Sequence, residues 1–357
     1  MTRLIINATT LNSNPTGLGV YSNNCITKLS KCFDVDYIST ERNSRFVAPN
    51  GIAIGTGKAG ALKRMMWLNT IHIDSRFLLY SPTHHGCWRA KRQIITIHDL
   101  IAIHQPNQHP NQYRYFRYFL PQLLKRCEAV FTVSEFTKSN VCNYYNYPAE
   151  RIHVVPNGVD ATAFTIGQDT TAPSSSPYLL IVGANYPHKN VEELLRFCHL
   201  WKNKYRLVIA SCSGEERNRL DNIVKELNLS QRVSFLGYLS QSDLVQLYKG
   251  ASALIYPSKV EGFGIPPLEA IACGTPVIAS NIPVLREVLG ESAFFFTIGN
   301  VDSWTQALSD ISDSKKVQDI NYLRQATLQK WSWETSGDKL IRALLSVEPS
   351  ISGQDNE

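Results

Sequence analysis

Residues 252–280, "SALIYPSKVEGFGIPPLEAIACGTPVIAS", contain a strand, a tight turn and a helix in immediate succession. The apolar, β-rich run "SALIYPS" predicts a buried strand. Pro266 and Pro267 suit the first turn of a helix, where the N–H groups that proline lacks have no helical partner. Gly262 and Gly264 let the intervening backbone approach a ligand closely. Repeated along a chain, this order predicts a parallel sheet covered by helices.

The same order recurs along the chain of 357 residues, which is long enough for two domains. Before residue 157 the predicted strands are "RLIINA", "FLLYSP", "QIITIHD", "AVFTVS" and "IHVVP". The segment "NGVDATAFTIGQDTTAPSSSPY" has little periodicity and predicts a linker. After it the predicted strands are "YLLIVGA", "YRLVIASC", "RVSFLGY", "SALIYPS" and "TPVIAS". We therefore predict an α/β protein of two doubly wound, Rossmann-like domains, residues 1–165 and 166–330, that face each other across a cleft.

Charge is distributed unevenly between the two halves. Residues 1–160 carry 18 Lys and Arg against 9 Asp and Glu, a net +9, and the remainder carries 18 against 21, a net −3. A basic first half suits an anionic partner such as a phosphorylated acceptor, a lipid surface or nucleic acid, or is simply a solvated surface. Because no recognised nucleic-acid module is present, a nucleic-acid partner is not expected.

The eight cysteines include no CxxC pair, and most lie in apolar periodic segments. This pattern predicts reduced, mostly buried thiols rather than a disulfide framework or a zinc site. No apolar run is long enough to cross a bilayer, and "MTRLIINATT" lacks the pattern of a signal peptide. We therefore expect a cytoplasmic protein.

The turn between the predicted strand and helix has the features of a diphosphate site. The amides of Phe263, Gly264 and Ile265 lie at a helix N-terminus, where backbone N–H groups and the helix dipole favour an anion. Glu261 and Glu269 flank these amides, and a carboxylate is a strong acceptor for paired sugar hydroxyls. Alternatively, Glu269 is a favourable charge at the start of a helix and Glu261 a solvated loop acid.

In the setting "EGFGIPPLEAIACGTPVIAS", the two glutamates resemble the signature of the large retaining glycosyltransferase family 4, which has the GT-B fold. The resemblance extends to "TGLGVYS" (16–22), "ITIHDLIAIHQP" (95–106), "FTVSEFTKSNV" (131–141), "VVPNGVD" (154–160), "PHKN" (187–190) and "FLGYLSQSDLVQLYKGASALIYPS" (235–258). It implies that Glu261 contacts the donor sugar, the loop amides hold the distal phosphate and Glu269 binds the ribose hydroxyls. It also implies that the helix over residues 331–346 packs back on the first domain.

Lys189 and two glycines complete the predicted donor site. Lys189 lies between a strand and a helix, where an ammonium can neutralise the leaving diphosphate. The family usually has an arginine nearby, but this chain has Ala184 and His188 there, so either His188 or another basic residue, such as Arg217, takes that charge. Gly17 and Gly19 are predicted to form a loop after the first strand that reaches the donor phosphates. Their spacing is not the dinucleotide-binding fingerprint.

Polar residues after two first-half strands are candidates for the reacting end of the site. His98 and Asp99 end the strand "QIITIH", and His84 and His85 follow "FLLYSP". The resemblance places His98 against the donor sugar, with Asp99 orienting it or contacting the acceptor; alternatively, the His-Asp pair merely ends a strand. His84 and His85 are candidates for the acceptor side. Ser134 is predicted to cap a helix.

No metal or cofactor is expected. In "FDVDY" (33–37), Asp34 and Asp36 could be mistaken for a metal-binding DxD, but alternation puts both on one face of a short surface strand, and we interpret them as structural. A lysine and a helix N-terminus can replace the metal at the diphosphate.

The predicted function is retaining, metal-independent transfer of a sugar from a nucleotide sugar to a glycan or lipid-linked oligosaccharide in bacterial surface polysaccharide synthesis. The resemblance favours mannose from GDP-mannose; dTDP-rhamnose, a UDP-sugar, or a non-catalytic nucleotide- or carbohydrate-binding protein are the alternatives. The stretches "ALKRMMWL" (61–68) and "YRYFRYFL" (113–120) mix basic and aromatic residues as an interfacial surface does, or as core aromatics beside solvated arginines do. Peripheral contact with the inner face of the membrane is one expectation.

Overall fold

A computed structural model describes residues 2–11, 17–40, 52–54, 66, 68–165 and 176–351. The chain divides into two compact units. Unit 1 comprises residues 1–158 and 333–357, and unit 2 comprises residues 159–332. The short helix at Ala161–Thr165, which the sequence analysis assigned to the first domain, thus belongs to unit 2. Much of the predicted linker, and most of the 61–68 stretch, lies outside the described residues.

Unit 1 is built on a seven-stranded sheet in the order β3-β2-β1-β4-β5-β6-β7, and all neighbouring strands are parallel. Each strand predicted before residue 157 is present. Strands β5 and β6 are buried along their whole length because helices cover both faces of the sheet. The strands are β1 Arg3–Asn7, β2 Val35–Thr40, β3 Ile52–Ile54, β4 Phe77–Ser81, β5 Gln93–Ile97, β6 Ala129–Thr132 and β7 Ile152–Val154.

Helices of unit 1 connect these strands and include the C-terminal helix of the chain. They are α1 Gly17–Cys32, α2 Ile101–His104, α3 Pro110–Arg114, a π-helical turn Tyr115–Phe119, α4 Leu120–Leu124, α5 Glu135–Tyr145, a 3-10 turn Ala149–Arg151 and α14 Trp333–Val347. Helix α14 packs on α1, and Lys28 pairs with Asp338 at 2.8 Å. Gly337 is needed at this contact, since a Cβ there would meet the Lys28 side chain at 2.7 Å. The terminal helix thus completes the N-terminal unit.

Unit 2 is built on a six-stranded parallel sheet in the order β10-β9-β8-β11-β12-β13. Its strands are β8 Tyr178–Val182, β9 Arg206–Ala210, β10 Val233–Phe235, β11 Ala253–Tyr256, β12 Val277–Ser280 and β13 Phe294–Phe296. From β8 the chain adds β9 and β10 on one side, and it then crosses to β11 on the other side of β8, so the direction of strand addition reverses beside β8. In open α/β sheets this reversal creates a crevice at the carboxyl ends of the strands, where ligands bind.

Helices cover both faces of this sheet. After α6 Ala161–Thr165 they are a 3-10 turn Pro187–Lys189, α7 Val191–Arg196, a 3-10 turn Cys198–Leu200, α8 Gly214–Glu226, α9 Gln241–Gly250, α10 Ile265–Ala272, α11 Pro283–Leu289, α12 Val301–Asp310 and α13 Ser314–Lys330. One core cluster packs Trp201 and Trp304 against the sheet face that carries Leu179 and Ile209. The prediction that the restart after residue 176 forms a second α/β unit is confirmed.

Three smaller predictions are tested by the fold. All eight cysteines are free thiols, as predicted. Asp34 and Asp36 lie 3.5 and 3.3 Å from the guanidinium of Arg3, in agreement with a structural role for both. Among the described residues, no helix is long and apolar enough to cross a membrane.

Candidate functional site

The candidate donor site lies where β11 ends and α10 begins; we use this name for Lys189, Tyr248, Tyr256, Glu269 and the segment 261–265. Strand β11 ends at Tyr256, and Gly264 is the residue that caps α10. Gly264 has φ +110°, and a Cβ on it would meet Cδ2 of Leu285 at 2.8 Å. Only glycine fits this position, because both the backbone angle and the approach of Leu285 exclude a side chain.

The turn leaves backbone donors free at the start of the helix. Within the described part of the chain, the amides of Phe263, Gly264 and Ile265 have no hydrogen-bond partner. Pro266 and Pro267 follow in the first turn of α10, as predicted. Three unused amides at the N-terminus of a helix at the carboxyl end of a parallel sheet form a cradle for an anion.

Lys189 and Glu261 form an ion pair beside this cradle. Nζ of Lys189 lies 2.5 Å from Oε1 of Glu261, whose exposed fraction is only 7%. The same ammonium lies 3.4 Å from the hydroxyl of Tyr256 and 5.4 Å from the centre of its ring. The loops that carry the two charges are also joined through the backbone, since the Lys259 amide donates to the carbonyl of His188 at 2.8 Å.

Burial and charge act against each other at Glu261. Burial would raise the pKa of Glu261, but the ammonium of Lys189, with smaller contributions from the Ser258 and Tyr256 hydroxyls, outweighs it and holds that pKa below its usual value. Burial, together with the negative charge of Glu261, raises the pKa of Tyr256 well above its usual value. At neutral pH the site therefore holds an ionised carboxylate, an ammonium and a neutral phenol.

Glu269 lies in α10 and has a different environment. The hydroxyl of Tyr248 on α9 donates to its Oε2 at 2.7 Å. No other hydrogen bond to this carboxylate is made by the described residues. Burial raises the pKa of Glu269 to about 7, and the bond from Tyr248 offsets only part of that rise. The two carboxylates of the site thus have pKa values shifted in opposite directions.

The usual arginine near Lys189 has no direct replacement in the sequence. Ala184 is buried. His188 is also buried, with its ring stacked on Tyr186 at 5.5 Å. The guanidinium of Arg217, in α8, lies 3.8 Å above the ring of Phe235, and its Nε is buried with no partner among the described residues. Arg217 thus lies at the carboxyl end of β10, on the same edge of the sheet as the candidate donor site.

His98 in unit 1 directly follows β5 and is oriented by its neighbours. Its Nε2 lies 2.9 Å from the carbonyl oxygen of Pro82, and its ring packs edge-on against Tyr21 at 4.7 Å. Since a carbonyl only accepts, Nε2 carries the proton and Nδ1 is left as an acceptor. Burial lowers the pKa of His98 to about 4. His98 is therefore neutral at physiological pH and can accept a hydrogen bond from a ligand.

The other predicted residues of unit 1 have structural contacts. Oδ1 of Asp99 accepts from the Ile101 amide at 2.9 Å, at the start of α2. His84 packs on His85 with ring centres 4.2 Å apart, and burial lowers its pKa well below the usual value. Nδ1 of His85 lies 3.3 Å from Oγ1 of Thr83. Ser134 caps α5 by accepting from the Thr137 amide, as predicted.

The prediction for Gly17 and Gly19 is wrong in its local structure. Both lie in the first turn of α1 rather than in a loop. Gly19, Tyr21, Cys25 and Leu29 are all buried, so the buried face of α1 begins within its first turn. Residues 12–16, which precede this turn, lie outside the described residues. Any contribution of the two glycines would be made from a helix N-terminus.

Two tyrosines of the candidate donor site were missed by the sequence analysis. Tyr256 is the last residue of β11, a position where functional residues concentrate, so its place in the strand was a usable signal. Tyr248 lies on α9 and reaches Glu269 across a helix–helix contact. Its spacing from Glu269 follows no periodic pattern, so only the structure reveals it.

Two solved structures share the architecture. Sucrose-phosphate synthase from Thermosynechococcus elongatus matches with a TM-score of 0.77 at 19% identity, covering 98% of this chain and all of that one. HepE from Anabaena, solved with UDP and glucose, matches with a TM-score of 0.74 at 16% identity, covering 97% of this chain and all of that one. At these identities the likeness shows the fold alone. It confirms the predicted GT-B class, with two doubly wound α/β domains in one chain.

Sequence comparison defines the family. The family described as glycosyl transferases group 1 matches residues 164–326, and glycosyltransferase family 4 matches residues 56–163. The O-antigen chain mannosyltransferase RfbU of Salmonella typhimurium is 33% identical over 325 residues, which cover 86% of this chain and 90% of that protein. Fold, site and sequence together define a glycosyltransferase. The chain belongs to the glycosyltransferase family that these group 1 and family 4 domains describe.

Proposed function

We propose that this protein transfers mannose, with retention, from GDP-mannose to a glycan or lipid-linked oligosaccharide during the synthesis of a bacterial surface polysaccharide. The observation that carries the proposal is the Lys189–Glu261 pair, 2.5 Å long, beside the unused amides of residues 263–265. Positive charge and free donors suit a diphosphate, and the flanking carboxylates suit hydroxyl groups.

Each group of the donor site then has a distinct role. Lys189 and the amides of Phe263, Gly264 and Ile265 stabilise the negative charge that develops on the leaving diphosphate. Glu261 accepts from hydroxyls of the donor sugar, and Glu269 accepts from the ribose hydroxyls. Gly17 and Gly19 contribute amides of the α1 N-terminus to the donor phosphates. Because an ammonium and helix amides supply the positive charge, the reaction is proposed to need no divalent metal and no other cofactor.

His98 is proposed to accept a hydrogen bond from the donor sugar near the reacting carbon. Its exposed fraction is 9%, and Nδ1 has no partner among the described residues, so the acceptor is both desolvated and free. Asp99, His84 and His85 are proposed to line the acceptor side. We infer front-face attack, in which the leaving phosphate takes the acceptor's proton, from the resemblance to the retaining enzymes of glycosyltransferase family 4.

The choice of donor rests on the relatives. The Salmonella relative, which covers most of the chain, is named as a mannosyltransferase that acts on the O-antigen chain. HepE was solved with UDP and glucose, and a UDP-sugar is therefore retained as an alternative donor. The second alternative donor is dTDP-rhamnose. The acceptor proposed here is a growing polysaccharide or its lipid-linked precursor.

Peripheral contact with the inner face of the cytoplasmic membrane is the proposed location. Tyr118 and Phe119 are exposed at 64% and 48%, beside Arg114 and Arg117 in the same helical segment. Exposed aromatics among basic residues suit an anionic lipid surface. Pelleting with phosphatidylglycerol vesicles over a salt series tests this location. We expect the protein to bind these vesicles, with binding that weakens as salt is added and weakens further in Tyr118→Ser/Phe119→Ser. An absence of binding at low salt would rule out the proposed membrane location.

Nucleotide release from a panel of GDP-, UDP- and dTDP-sugars tests the proposed function. Wild type and Glu261→Ala are compared with a lipid-linked oligosaccharide acceptor, and product linkage is read by NMR. Release from GDP-mannose, lost in Glu261→Ala, is expected. Nucleotide release from another donor would show that the proposed donor, GDP-mannose, is wrong. Tight nucleotide binding without turnover of any donor would favour a non-catalytic binding protein.

A further inference from the structure

Glu269 is held by one oxygen and free at the other. Its Oε2 accepts from the hydroxyl of Tyr248 at 2.7 Å. Oε1 has no hydrogen-bond partner among the described residues, and Glu269 as a whole residue is half-buried. A carboxylate that is fixed through one oxygen keeps the other in a defined direction, because both oxygens lie in one rigid plane.

Tyr248 is itself held firmly. Its side chain is fully buried, and its ring packs against Phe164 at 6.3 Å. Its carbonyl accepts from Oγ1 of Thr275 at 2.6 Å. The preceding carbonyl, of Leu247, accepts from the hydroxyl of Tyr178 at 2.7 Å. The end of α9 is thus tied to β8 and to the loop after α10, so the phenol is presented to Glu269 from a fixed backbone.

We propose that Tyr248 is a positioning residue for donor binding, which orients the Glu269 carboxylate toward the ribose and favours its ionised form. This inference rests on the proposed function, which assigns the ribose to Glu269. The phenol donates to the charged carboxylate, and such bonds are stronger than bonds between neutral groups. A buried phenol without this carboxylate would lack a partner for its hydroxyl, which accounts for a tyrosine rather than a phenylalanine at this position.

The alternative explanation is that Tyr248 only stabilises the packing of α9 on α10. The neighbouring Tyr178 separates the two explanations, because its hydroxyl ties the same end of α9 but contacts a backbone carbonyl and not Glu269. Removal of either hydroxyl deletes one hydrogen bond at the end of α9. Only the removal of the Tyr248 hydroxyl changes the orientation and the protonation of Glu269.

The experiment measures binding of GDP, UDP and dTDP by calorimetry and then uses the tightest of the three. Affinity is followed from pH 5.5 to 8.5 for wild type, Tyr248→Phe, Tyr178→Phe and Glu269→Gln, and the melting temperature of each is recorded. Tyr248→Phe is expected to weaken binding about tenfold, the loss of one hydrogen bond to a charged group, with kcat changed less than the KM for the donor. Its midpoint for binding is expected to move to higher pH.

Tyr178→Phe is expected to keep the wild-type affinity and the wild-type midpoint for binding, even if its melting temperature falls as far as that of Tyr248→Phe. Equal effects of the two phenylalanine variants, or a wild-type midpoint in Tyr248→Phe, would overturn the proposal. If Tyr248→Phe does not fold, site-specific 3-fluorotyrosine at residue 248 replaces it. Its more acidic phenol donates more strongly, so the midpoint is expected to move to lower pH, and an unmoved midpoint would again overturn the proposal.

Failure of the proposed function gives a different result. If Glu269→Gln binds the nucleotide as tightly as wild type at every pH, Glu269 does not contact the ribose and the function assigned to the site is wrong. If Glu269→Gln binds weakly and Tyr248→Phe binds as wild type does, the site is correct and only the role of Tyr248 is wrong.

Discussion

Lys189 and Glu261 lie 2.5 Å apart, Nζ to Oε1, at the carboxyl end of the second sheet. Lys189 lies in the connection that follows β8, and Glu261 in the connection that follows β11. Each charge neutralises the other, so neither is left unpaired in a buried environment. A nucleotide sugar that binds there supplies new partners for both, phosphate for the ammonium and hydroxyls for the carboxylate. The pair therefore holds both charges in the positions from which they can bind the ligand.

Removing one member of this pair is expected to cost more stability than removing both. Lys189→Met leaves the Glu261 carboxylate buried and unpaired, a loss of about 3 kcal/mol at pH 7. Lys189→Met/Glu261→Gln is expected to recover part of that loss. The pairing lowers the pKa of Glu261, so its contribution is present above the usual carboxyl pKa and is lost as pH falls through the lowered value. Urea unfolding at pH 7 and pH 4 measures both effects; a loss in the double variant as large as that in Lys189→Met, or larger, would contradict the pairing.

Nucleotide binding is expected to depend on the ionisation of Glu269. Its pKa of about 7 means that the carboxyl is protonated in the free protein at pH 6 and must lose that proton to accept from ribose hydroxyls. Affinity is therefore expected to fall as pH falls below 7, approaching roughly tenfold per unit. Calorimetry with GDP, UDP or dTDP measures this slope.

The terminal phosphate of these ligands also titrates near pH 6, so the comparison with Glu269→Gln is needed. That variant is expected to bind more weakly at pH 8 and to show only the ligand's own pH dependence. Glu261→Gln is the matched control, which retains Glu269 and is expected to keep the wild-type midpoint. An identical slope in wild type and Glu269→Gln would show that Glu269 takes no part.

Gly264→Ala is expected to damage both stability and binding. At φ +110° a side chain is strained, and its Cβ would meet Leu285 at 2.8 Å, which together cost about 2 kcal/mol or more. Gly299 is the control, since it also has a positive φ but has nothing within 4 Å of an added Cβ. Thermal unfolding is expected to rank wild type above Gly299→Ala and Gly299→Ala above Gly264→Ala, with nucleotide affinity lost only in Gly264→Ala. Equal unfolding temperatures would refute the close approach.

His98 is expected to stay neutral and to keep its proton on Nε2 throughout the active pH range. Burial lowers its pKa to about 4, and the Pro82 carbonyl accepts from Nε2. Imidazole 15N spectra, assigned with His98→Ala, are expected to show no titration of this ring between pH 5.5 and 8. A midpoint near 6.5 would contradict the orientation described here.

The sequence predicted the succession of strands and helices well, because parallel strands buried on both faces are nearly continuous apolar runs such as "YLLIV" and "QIITI". Strand β13 was not predicted, since its three residues are too few to show a period. Gly17 and Gly19 were placed in a loop because glycine usually marks one, whereas α1 begins at Gly17 and its buried face begins at Gly19.

The sequence indicated the charged residues of the candidate donor site, but not its two tyrosines and not the contacts among its members. Glu261, Glu269 and Lys189 were each indicated by their place after a strand or at a helix start. That Lys189 pairs with Glu261, while Glu269 pairs with Tyr248, depends on how β8, β11 and α9 are arranged in space. The opposite pKa shifts of the two carboxylates follow from those contacts, which spacing along the chain does not contain.

The central claim is that the amides of residues 263–265 hold the diphosphate of the donor. Amide hydrogen exchange at single-residue resolution, with and without saturating GDP, UDP or dTDP, tests it most directly. The account predicts that Phe263, Gly264 and Ile265 exchange more slowly when the nucleotide is bound, and that Gly299, outside the site, exchanges at an unchanged rate. Unaltered exchange at all three amides in a protein shown to be saturated would contradict it.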